Sequence, residues 1–431
     1  MTAPEAPPGP ERLGLRVLRP LLRALPHGFG GLLPVLELLR QELGEVFRLD
    51  LPGFRAVVVA GPEAIRQVLT GPPDVYRWRP EADPVARLMG RGVLVTDGAE
   101  HERLRRILEP ANRRSYLEDR CRELWRLVDR LADGWQSGCC RDMLVEMRRI
   151  TLTAFEHVYF SHDPGPELAE LWEPVLSAVS YIGPGPWLVL GAAEPPPGAA
   201  HLRSYLTALI RRRRQASDPP DDLLTQVVRA VPDDGLAADQ LLTMLIAGHD
   251  TCTAALSWTL YLLGLHPRWL NLVKAEVRET LGREPPEPGN IDGLVWLDRV
   301  VREALRLYPP IHVGMRLAGS TVTLQGYRIP AGTRIMLSYY LVHRHGKWWP
   351  QPLAFRPERW AHFQARPFTY LPFGGSHRGC IGATFAWLQT RLVLARLLQR
   401  WDLRLTQERV RAHMGATLEP RPGVLMEVAL R

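Results

Sequence analysis

The sequence predicts a mainly α-helical protein with small antiparallel β-sheets, an α+β class, and three observations support this. Residues 100–280 show mostly helical patterns separated by proline-rich breaks. Residues 44–61, "GEVFRLDLPGFRAVVVAG", contain two β-rich runs around a turn, which is the pattern of a hairpin. Short β-like runs return at residues 321–342, "TVTLQGYRIPAGTRIMLSYYLV". Helices therefore dominate, and strands are confined to short regions.

The composition is that of an ordinary globular chain. Its 431 residues are 46% hydrophobic and carry a net charge of +8, which provides enough apolar material for a sizeable core. The one concentrated basic block, "RRRR" at 211–214, is followed closely by the acidic run "DPPDD". We interpret it as a solvated helix end rather than a nucleic-acid-binding patch, so no nucleic-acid partner is expected.

The five cysteines indicate a reducing compartment. Their number is odd, and the sequence has no CxxC spacing of the zinc-ribbon type, so a cytoplasmic location is expected. Residues 1–40 form a proline-rich lead-in, and the N-terminus lacks the basic and apolar segments of a signal peptide.

The apolar stretch at residues 241–265 is long enough to span a bilayer. It carries His249 and Asp250 near its centre, where a charge is costly in a membrane. A helix that is apolar all round is otherwise a helix buried in a large protein. We therefore predict a buried central helix and no transmembrane anchor.

The segment "AGHDT", residues 247–251, lies in the middle of this helix. Gly248 would allow a flat cofactor to approach closely, or the helix to widen locally. The Thr251 hydroxyl would hydrogen-bond a ligand and relay protons supplied by Asp250 and water. The alternative is a kinked helix with a locally hydrogen-bonded threonine, and this segment alone does not decide between the two.

Residues 298–310, "DRVVREALRLYPP", predict a helix that stops at the double proline. Glu303 and Arg306 lie three residues apart on one face of this helix, and "FRPERW" offers a further Arg359. On a solvated helix such a pair contributes little. The apolar neighbours favour a buried network that fixes the local register, which is a structural role.

The glycine-rich stretch "FGGSHRGCIG", residues 373–382, precedes a predicted final helix. Cys380 would lie at the positive end of the helix dipole, which lowers the pKa of a thiol and favours the thiolate. Gly379 and Gly382 allow sharp turns and a close backbone approach, and Arg378 adds a cation. These features suit a metal-bound thiolate or a catalytic nucleophile, and a structural cysteine less well.

Further basic side chains suggest an anion-binding site. His101 and Arg105 are four residues apart and share a helix face, and Arg316 lies in the β-like stretch after the double proline. Taken singly, each is more often a surface residue. Together with Arg378 and Cys380 they indicate a cofactor that carries negative charge.

These segments resemble the motifs of the cytochromes P-450, the haem-thiolate monooxygenases. Residues 373–382 are similar to the haem-binding loop F-G-x-G-x-R-x-C-x-G and residues 247–251 to A-G-x-D/E-T, while other segments match H-x-x-x-R, E-x-x-R and F-x-P-E-R-W. They follow the family's order over about residues 40–431. One position departs: Ser376 replaces a glycine, which costs backbone strain if a positive φ is needed there.

The resemblance implies the family's fold, with haem b between the long central helix and the helix after the cysteine loop. It also implies a single haem domain over residues 1–431 without a reductase domain. The residues expected at the cofactor are His101, Arg105, Ala247, Gly248, Arg316, Phe373, Arg378, Cys380 and Gly382. Cys380 would bind the iron, and Thr251 and Asp250 would act in catalysis. The residues expected around the substrate are Ile246, Ala247, Ile311, His312 and Val313.

The function that the resemblance implies is hydroxylation of a lipophilic substrate, a carotenoid, terpenoid or fatty acid, with one oxygen atom of dioxygen. Electrons would come from a ferredoxin and its reductase or from a flavoprotein, docked on the cysteine side near Arg391, Arg396 and Arg400. The alternatives are a peroxide-driven peroxygenase or dehydratase, a non-enzymatic haem-thiolate sensor, and a cysteine-nucleophile enzyme without haem.

Overall fold

The computed structural model describes residues 5–17, 30–51, 54–78, 83–165, 167–185, 187–191, 194–282, 286, 289–407 and 409–431. The α-helices are α1 (Leu33–Leu43), α2 (Pro62–Thr70), α3 (Pro84–Met89), α4 (Gly98–Leu108), α5 (Arg114–Glu118), α6 (Cys121–Ala132), α7 (Met143–Phe160), α8 (Glu167–Ile182), α9 (Trp187–Leu190), α10 (Pro197–Gln215), α11 (Leu223–Ala230), α12 (Asp234–Leu265), α13 (Pro267–Leu281), α14 (Val295–Leu307), α15 (Tyr339–His343) and α16 (Ala383–Arg400). Shorter 3₁₀ turns are Pro10–Val17, Val93–Val95, Pro110–Asn112, Asn290–Gly293, Pro357–Ala361 and Ser376–Arg378. The strands are β1 (Val46–Leu51), β2 (Phe54–Val59), β3 (Tyr76–Arg77), β4 (Cys140–Asp142), β5 (Val313–Ala318), β6 (Val322–Leu324), β7 (Tyr327–Ile329), β8 (Arg334–Ser338), β9 (Trp401–Leu405), β10 (Arg411–Met414), β11 (Leu418–Arg421) and β12 (Leu425–Leu430).

The largest sheet has five strands in the order β1-β2-β8-β5-β3. β1 and β2 form the expected hairpin, with Val46 opposite Val59, and its turn residues 52 and 53 lie outside the described part of the chain. The other pairs in this sheet are antiparallel, except that β2 and β8 run parallel. Smaller antiparallel sheets join β10 to β11, β12 to both β4 and β9, and β6 to β7. The predicted class, mainly α with small sheets, is confirmed.

The β-like run at residues 321–342 divides into three strands and a helix. β6, β7 and β8 use the residues up to Ser338, and α15 begins at Tyr339. The Ser338 hydroxyl accepts a hydrogen bond from the Leu341 N–H at 3.3 Å, which caps the start of the helix. The predicted strand over "YYLV" is therefore wrong, because a capping residue precedes an apolar run that suits either structure.

α12 is the buried central helix. It has 32 residues and begins after Asp233, whose carboxylate accepts from the N–H groups of Gly235 and Leu236. Most side chains from Leu236 to Leu263 are buried, and α7 packs along the helix. The prediction of a buried central helix is confirmed. Across the described ranges, none of the helices is long and apolar enough to cross a membrane.

The C-terminal helices also agree with the sequence. α14 ends at Leu307, before Pro309 and Pro310, and α16 begins at Ala383, shortly after Cys380. The "RRRR" block lies in the last turns of α10, as expected for a helix end. The proline-rich breaks at 192–200 and 283–290 lie partly outside the described residues.

Buried hydrophobic side chains form one large core around α6, α7, α12, α14 and α16. Two smaller clusters cover the faces of the five-stranded sheet. Phe47 and Val58 belong to one cluster with α1, and Val46 and Val57 belong to the other with α2. This alternation follows from the two-residue period of a strand. The sheet and the helical core meet at the cavity described next.

Candidate active site

A cavity of about 420 Å³ is bordered by α12, β5 and residues 372–382. The residues predicted to bind the cofactor or substrate, or to act in catalysis, all line it. They are His101, Arg105, Ile246, Ala247, Gly248, Asp250, Thr251, Ile311, His312, Val313, Arg316, Phe373, Arg378, Cys380 and Gly382. The fold thus brings together segments that are far apart in the sequence.

Cys380 lies between a 3₁₀ turn and α16, as the sequence predicts. Its backbone N–H donates to the Phe373 carbonyl at 2.9 Å, and its side chain is exposed to the cavity. Desolvation raises the pKa of the thiol above its ordinary value, although the Gly382 backbone and the Arg105 charge oppose this. The expected lowering of this pKa is therefore wrong. A metal ion bound to the sulfur would itself deprotonate the thiol.

Ser376 begins the 3₁₀ turn before Cys380 with a φ of +62°. This is the left-handed region, which favours glycine. Gly374, two residues earlier, has a φ of +67°. The position at which the motif has glycine therefore does adopt a positive φ, and Ser376 carries the strain that the sequence predicts.

Two arginines lie against the indole of Trp78. The Arg316 guanidinium is 4.4 Å and the Arg378 guanidinium 5.1 Å from the ring centroid, both cation–π distances. Arg378 also pairs with the Asp97 carboxylate at 2.5 Å, and that carboxylate accepts from the Trp78 backbone N–H at 3.1 Å. No spacing pattern links Trp78 and Asp97 to these arginines, so sequence reasoning missed both.

His101 and Arg105 extend from α4 toward the same group of cations. Arg105 donates to the Gly379 carbonyl at 2.9 Å, which ties α4 to the cysteine loop. Burial, together with the charges of Arg378 and Arg105, lowers the pKa of His101 to about 4. Three basic side chains gathered in this way favour a negatively charged ligand between them.

Ala247, Gly248 and Thr251 form the α12 side of the cavity. The Thr251 hydroxyl donates to the Ala247 carbonyl at 3.0 Å, so it is locally hydrogen-bonded while its oxygen can still accept. A Cβ on Gly248 would lie 2.4 Å from the Phe155 ring of α7. Gly248 therefore permits the close packing of α7 on α12, and α12 stays helical through this segment.

Asp250 is buried, and both of its carboxylate oxygens are engaged. Arg148 donates to one at 3.0 Å and Thr417 to the other at 2.8 Å. Arg148 also donates to Glu419 at 2.5 Å. Burial lowers the pKa of Arg148, but the two carboxylates outweigh it and the pKa is raised. Arg148 and Thr417 lie 102 and 167 positions from Asp250 in the chain, so no motif could reveal them.

His249, the neighbour of Asp250, is fully buried, and burial lowers its pKa. Its Nδ1 lies 2.7 Å from the Leu245 carbonyl one turn earlier. In the described chain His249 is not among the cavity-lining residues. Its role inside "AGHDT" is therefore packing.

Glu303, Arg306 and Arg359 form a buried network apart from the cavity. Glu303 accepts from Arg306 at 2.8 Å and from Arg359 at 3.0 Å. Arg306 also donates to the carbonyls of His343 and Pro352, at 2.9 and 2.7 Å. The structure brings the three predicted residues together, and their contacts fix α14 to the segment that follows α15.

Arg391, Arg396 and Arg400, expected to meet an electron donor, are paired within the chain. Arg391 is buried and pairs with Asp292 at 3.2 Å. Arg396 and Arg400 both pair with Asp129, at 2.6 and 2.7 Å. Arg391 therefore offers little surface to a partner, and carboxylates distant in sequence already pair with all three cations.

A second wall of the cavity is apolar and comes from α1, the β1–β2 hairpin, α9, β8 and β10. Its side chains are Val35, Leu36, Leu49, Phe54, Trp187, Leu188, Met336 and Met414. His312 is the polar exception among the predicted substrate residues. Residues 79–82 lie outside the described part of the chain, while Val85 and Met89, which follow them, line the cavity.

The residues around the cavity fit a haem group. Cys252 and Cys380 both line the cavity, and of these two Cys380 is exposed and Cys252 is buried. Thiolate is a known axial ligand of haem iron. Glycines 374, 375, 379 and 382 leave space beside it. The cluster of His101, Arg105, Arg316 and Arg378 suits the carboxylates of such a group. The remaining walls are largely apolar, as a porphyrin requires.

Comparison with known proteins agrees with this arrangement. The family model described as Cytochrome P450 matches residues 7–171 and 199–426. A putative cytochrome P450 135B1 of Mycobacterium tuberculosis is 31% identical over 425 residues, covering 93% of this chain and 86% of the relative. Cyclooctatin synthase of Streptomyces melanosporofaciens is 31% identical over 405 residues, with 88% and 86% covered. Cyclooctat-9-en-7-ol 5-monooxygenase of the same organism is 30% identical over 381 residues, with 84% and 83% covered.

Proposed function

This chain belongs to the cytochrome P450 family and is a cytochrome P450 monooxygenase, and we propose that it hydroxylates a lipophilic terpenoid with electrons from an external partner. The observation that carries the proposal is the cavity in which a thiol, a cluster of cations and an apolar wall meet. A cytoplasmic location and a single haem domain over residues 1–431 remain predictions from the sequence.

The proposed cofactor is haem b. Cys380 would supply the axial thiolate, and His101, Arg105, Arg316 and Arg378 would hold the propionates. Ala247, Gly248, Phe373 and Gly382 would border the macrocycle. Bound haem with a thiolate ligand activates dioxygen for insertion of one oxygen atom into a C–H bond.

The chain's own part in the reaction is to deliver protons and to exclude water. The Thr251 oxygen faces the cavity and can accept a hydrogen bond while its proton is held by Ala247. Asp250, one residue away, is held as a buried carboxylate by Arg148 and Thr417. We assign proton relay to Thr251, and to Asp250 the uptake of a proton from water and its transfer towards Thr251.

A terpenoid is preferred to a fatty acid because of where the cations lie. In the described chain the lining cations are Arg105, Arg316 and Arg378, which the proposed cofactor would occupy. A fatty-acid carboxylate would then enter an apolar wall without a partner, which is costly. Two relatives are named for cyclooctatin chemistry, which supports a neutral cyclic terpenoid rather than a carotenoid.

The proposed electron donor is a ferredoxin with its reductase, or a flavoprotein. A groove beside Phe373 and Trp387 carries Arg114 and Arg302 on the cysteine side, and their side chains are 60% and 41% exposed. Arg114 and Arg302 also pair with carboxylates, Glu118 and Asp298. Their side chains are nevertheless more exposed than those of Arg391, Arg396 and Arg400, so they are the proposed contacts for an acidic donor. Attraction between exposed charges weakens with salt, so donor-driven turnover should fall as ionic strength rises.

The absorption spectrum of the reduced, carbon-monoxide-bound protein tests the central proposal. A red-shifted Soret band of the thiolate type is expected from the wild type, and Cys380→Ser should abolish it. Cys121→Ser, which changes a buried cysteine outside the cavity, is the matched control and should keep the band. Absence of the red-shifted band from the wild-type spectrum would rule out haem-thiolate ligation. Turnover with peroxide as fast as with reductant would favour the peroxygenase, and no turnover despite ligand binding would favour a sensor.

A further inference from the structure

Tyr339 places its hydroxyl between β5 and the cysteine loop. It is the first residue of α15 and is only 5% exposed. A Cβ on Gly314 of β5 would lie 2.6 Å from the hydroxyl oxygen, and a Cβ on Gly374 would lie 3.9 Å from it. Both glycines line the cavity, as Tyr339 itself does. The hydroxyl therefore occupies space that a larger residue at position 314 would fill, and it borders the cavity.

This hydroxyl is unpaired and accessible from the cavity. Among the residues that the structure describes it has no hydrogen-bond partner, and its oxygen is not one of the unpaired atoms that the protein closes off from solvent. Burial raises the pKa of Tyr339, although the charge of Arg316 opposes this, so the phenol stays protonated at neutral pH. Buried polar groups in native proteins are nearly always hydrogen-bonded. An unpaired hydroxyl in a cavity wall therefore indicates a hydrogen bond to a bound group.

The adjacent Tyr340 shows the ordinary arrangement of a buried tyrosine. Its hydroxyl donates to the Glu37 carboxylate at 2.8 Å, and in the described chain it is not a cavity-lining residue. Its backbone N–H donates to the His312 carbonyl at 3.1 Å, which holds the start of α15 beside β5. Of these two tyrosines, the fold supplies an acceptor for Tyr340 and leaves that of Tyr339 to a ligand.

The surroundings of the Tyr339 hydroxyl indicate which ligand group it meets. Arg316 lies two residues after Gly314 in β5, on the same face of the strand, and it is buried and lines the cavity. An acceptor next to both the hydroxyl and this cation is best a carboxylate. A carboxylate offers about four acceptor sites, so it can bind a guanidinium and a hydroxyl at the same time.

Building on the proposed haem cofactor, we propose that the Tyr339 hydroxyl donates a hydrogen bond to one of its propionate carboxylates, beside Arg316. Tyr339 is thereby a cofactor-binding residue in addition to His101, Arg105, Arg316 and Arg378, and it belongs to none of the sequence motifs. A hydrogen bond to a charged group contributes more than one between neutral groups. The hydroxyl should therefore slow the loss of haem and fix the orientation of the carboxylate.

The rate of haem loss tests this inference. Transfer of haem from the loaded protein to an excess of apomyoglobin measures that rate. Tyr339→Phe, which removes only the hydroxyl oxygen, should raise it about tenfold. Tyr340→Phe is the matched control, because it removes the same atom from the neighbouring tyrosine outside the cavity, and it should leave the rate nearly unchanged.

A second measurement separates the hydrogen bond from a packing role of the ring. The resonance Raman spectrum contains a bending band of the haem propionates, and its frequency falls when a hydrogen bond to them is lost. Tyr339→Phe should lower this frequency, and Tyr340→Phe should not.

An unchanged rate of haem loss or an unchanged propionate band in Tyr339→Phe would overturn the role of Tyr339, and so would equal changes in both variants. A thiolate-type Soret band in the wild-type protein would in that case leave the proposed function standing. Absence of that band from the wild type would overturn the proposed function and this inference with it.

Discussion

Ser376 carries a side chain in a backbone conformation with φ of +62°, in the turn that leads to Cys380. For an L-residue this conformation costs about 1–2 kcal/mol. The turn is nevertheless formed, because the chain on both sides is fixed: the Cys380 N–H binds Phe373, and Arg378 pairs with Asp97. Strain at a ligand-binding loop is common when surrounding contacts determine the backbone.

Ser376→Gly should stabilise the protein. Relief of the strain outweighs the extra freedom of glycine in the unfolded chain, so the free energy of unfolding should rise by about 0.5–1 kcal/mol. Chemical denaturation of the haem-loaded protein measures it. Ser115→Gly in α5, where the backbone is helical, should lower the same quantity by about 0.5 kcal/mol. A loss of stability in Ser376→Gly would contradict the strain.

Single residues could be predicted where their chemistry is local. Cys380 and Ser376 stand in one short motif, and His101 and Arg105 share a helix turn, so their types and spacing were informative. Trp78 was not predictable as a partner of two arginines, because those arginines lie on β5 and in the cysteine loop. Only the folded chain brings such residues together.

α7 and α12 pack closely where Gly248 meets Phe155. A Cβ on Gly248 would be 2.4 Å from one carbon of the Phe155 ring and 2.7 Å from the next, distances that ordinary packing does not allow. The glycine therefore sets how near these two helices come. Because Ala247 and Thr251 lie on the same helix, this contact also sets the position of one cavity wall.

Gly248→Ala should destabilise the protein by about 1–3 kcal/mol, because the added methyl group pushes α7 and α12 apart. Chemical denaturation checks the value. In the Phe155→Leu background, where the side chain at position 155 is smaller, Gly248→Ala should reduce the free energy of unfolding by at least about 1 kcal/mol less. A double-mutant cycle measures this difference. Strictly additive effects of the two substitutions would show that the methyl group meets something other than Phe155.

The long helices of the core were predicted well. α14 and α16 lie close to the expected positions because each carries an apolar period and stop signals. α12 was predicted from its long apolar run and begins seven residues before it, at Asp234. The sequence did not predict α15, because "YYLV" is too short to show an apolar period and its helical form depends on the Ser338 cap. The ion pair between Arg396 and Asp129 of α6 was not predictable either, because the two residues are 267 positions apart in the chain.

The stability of the whole molecule contains a contribution from one buried acid. Glu156 of α7 is fully buried, and its carboxyl accepts from the Tyr205 hydroxyl of α10. Burial raises the pKa of Glu156 from 4.5 to about 7, opposed by the Tyr205 hydrogen bond. The folded protein therefore keeps a proton that the unfolded chain releases between pH 4.5 and 7. Stability falls as pH rises through this window.

Glu156→Gln should flatten this dependence. The variant mimics the protonated side chain, so it should be more stable than wild type by up to about 3 kcal/mol at pH 8 and nearly equal at pH 5. Denaturation curves at the two pH values test this. Glu146→Gln is the control. Because Glu146 is paired with Arg141 at 2.8 Å, this variant should be less stable than wild type at pH 8. A Glu156→Gln variant less stable than wild type at pH 8 would contradict the raised pKa.

The hairpin of β10 and β11 both lines the cavity and holds Asp250 in place. Its tip, residues 414–417, lines the cavity, and Thr417 donates its hydroxyl proton to Asp250 at 2.8 Å. A molecule that shifts this tip must lengthen or break that bond. A ligand that fits the cavity poorly and displaces the hairpin tip would therefore also change the hydrogen bonding of Asp250, the neighbour of Thr251. Poor binding and poor proton transfer would then have the same structural cause.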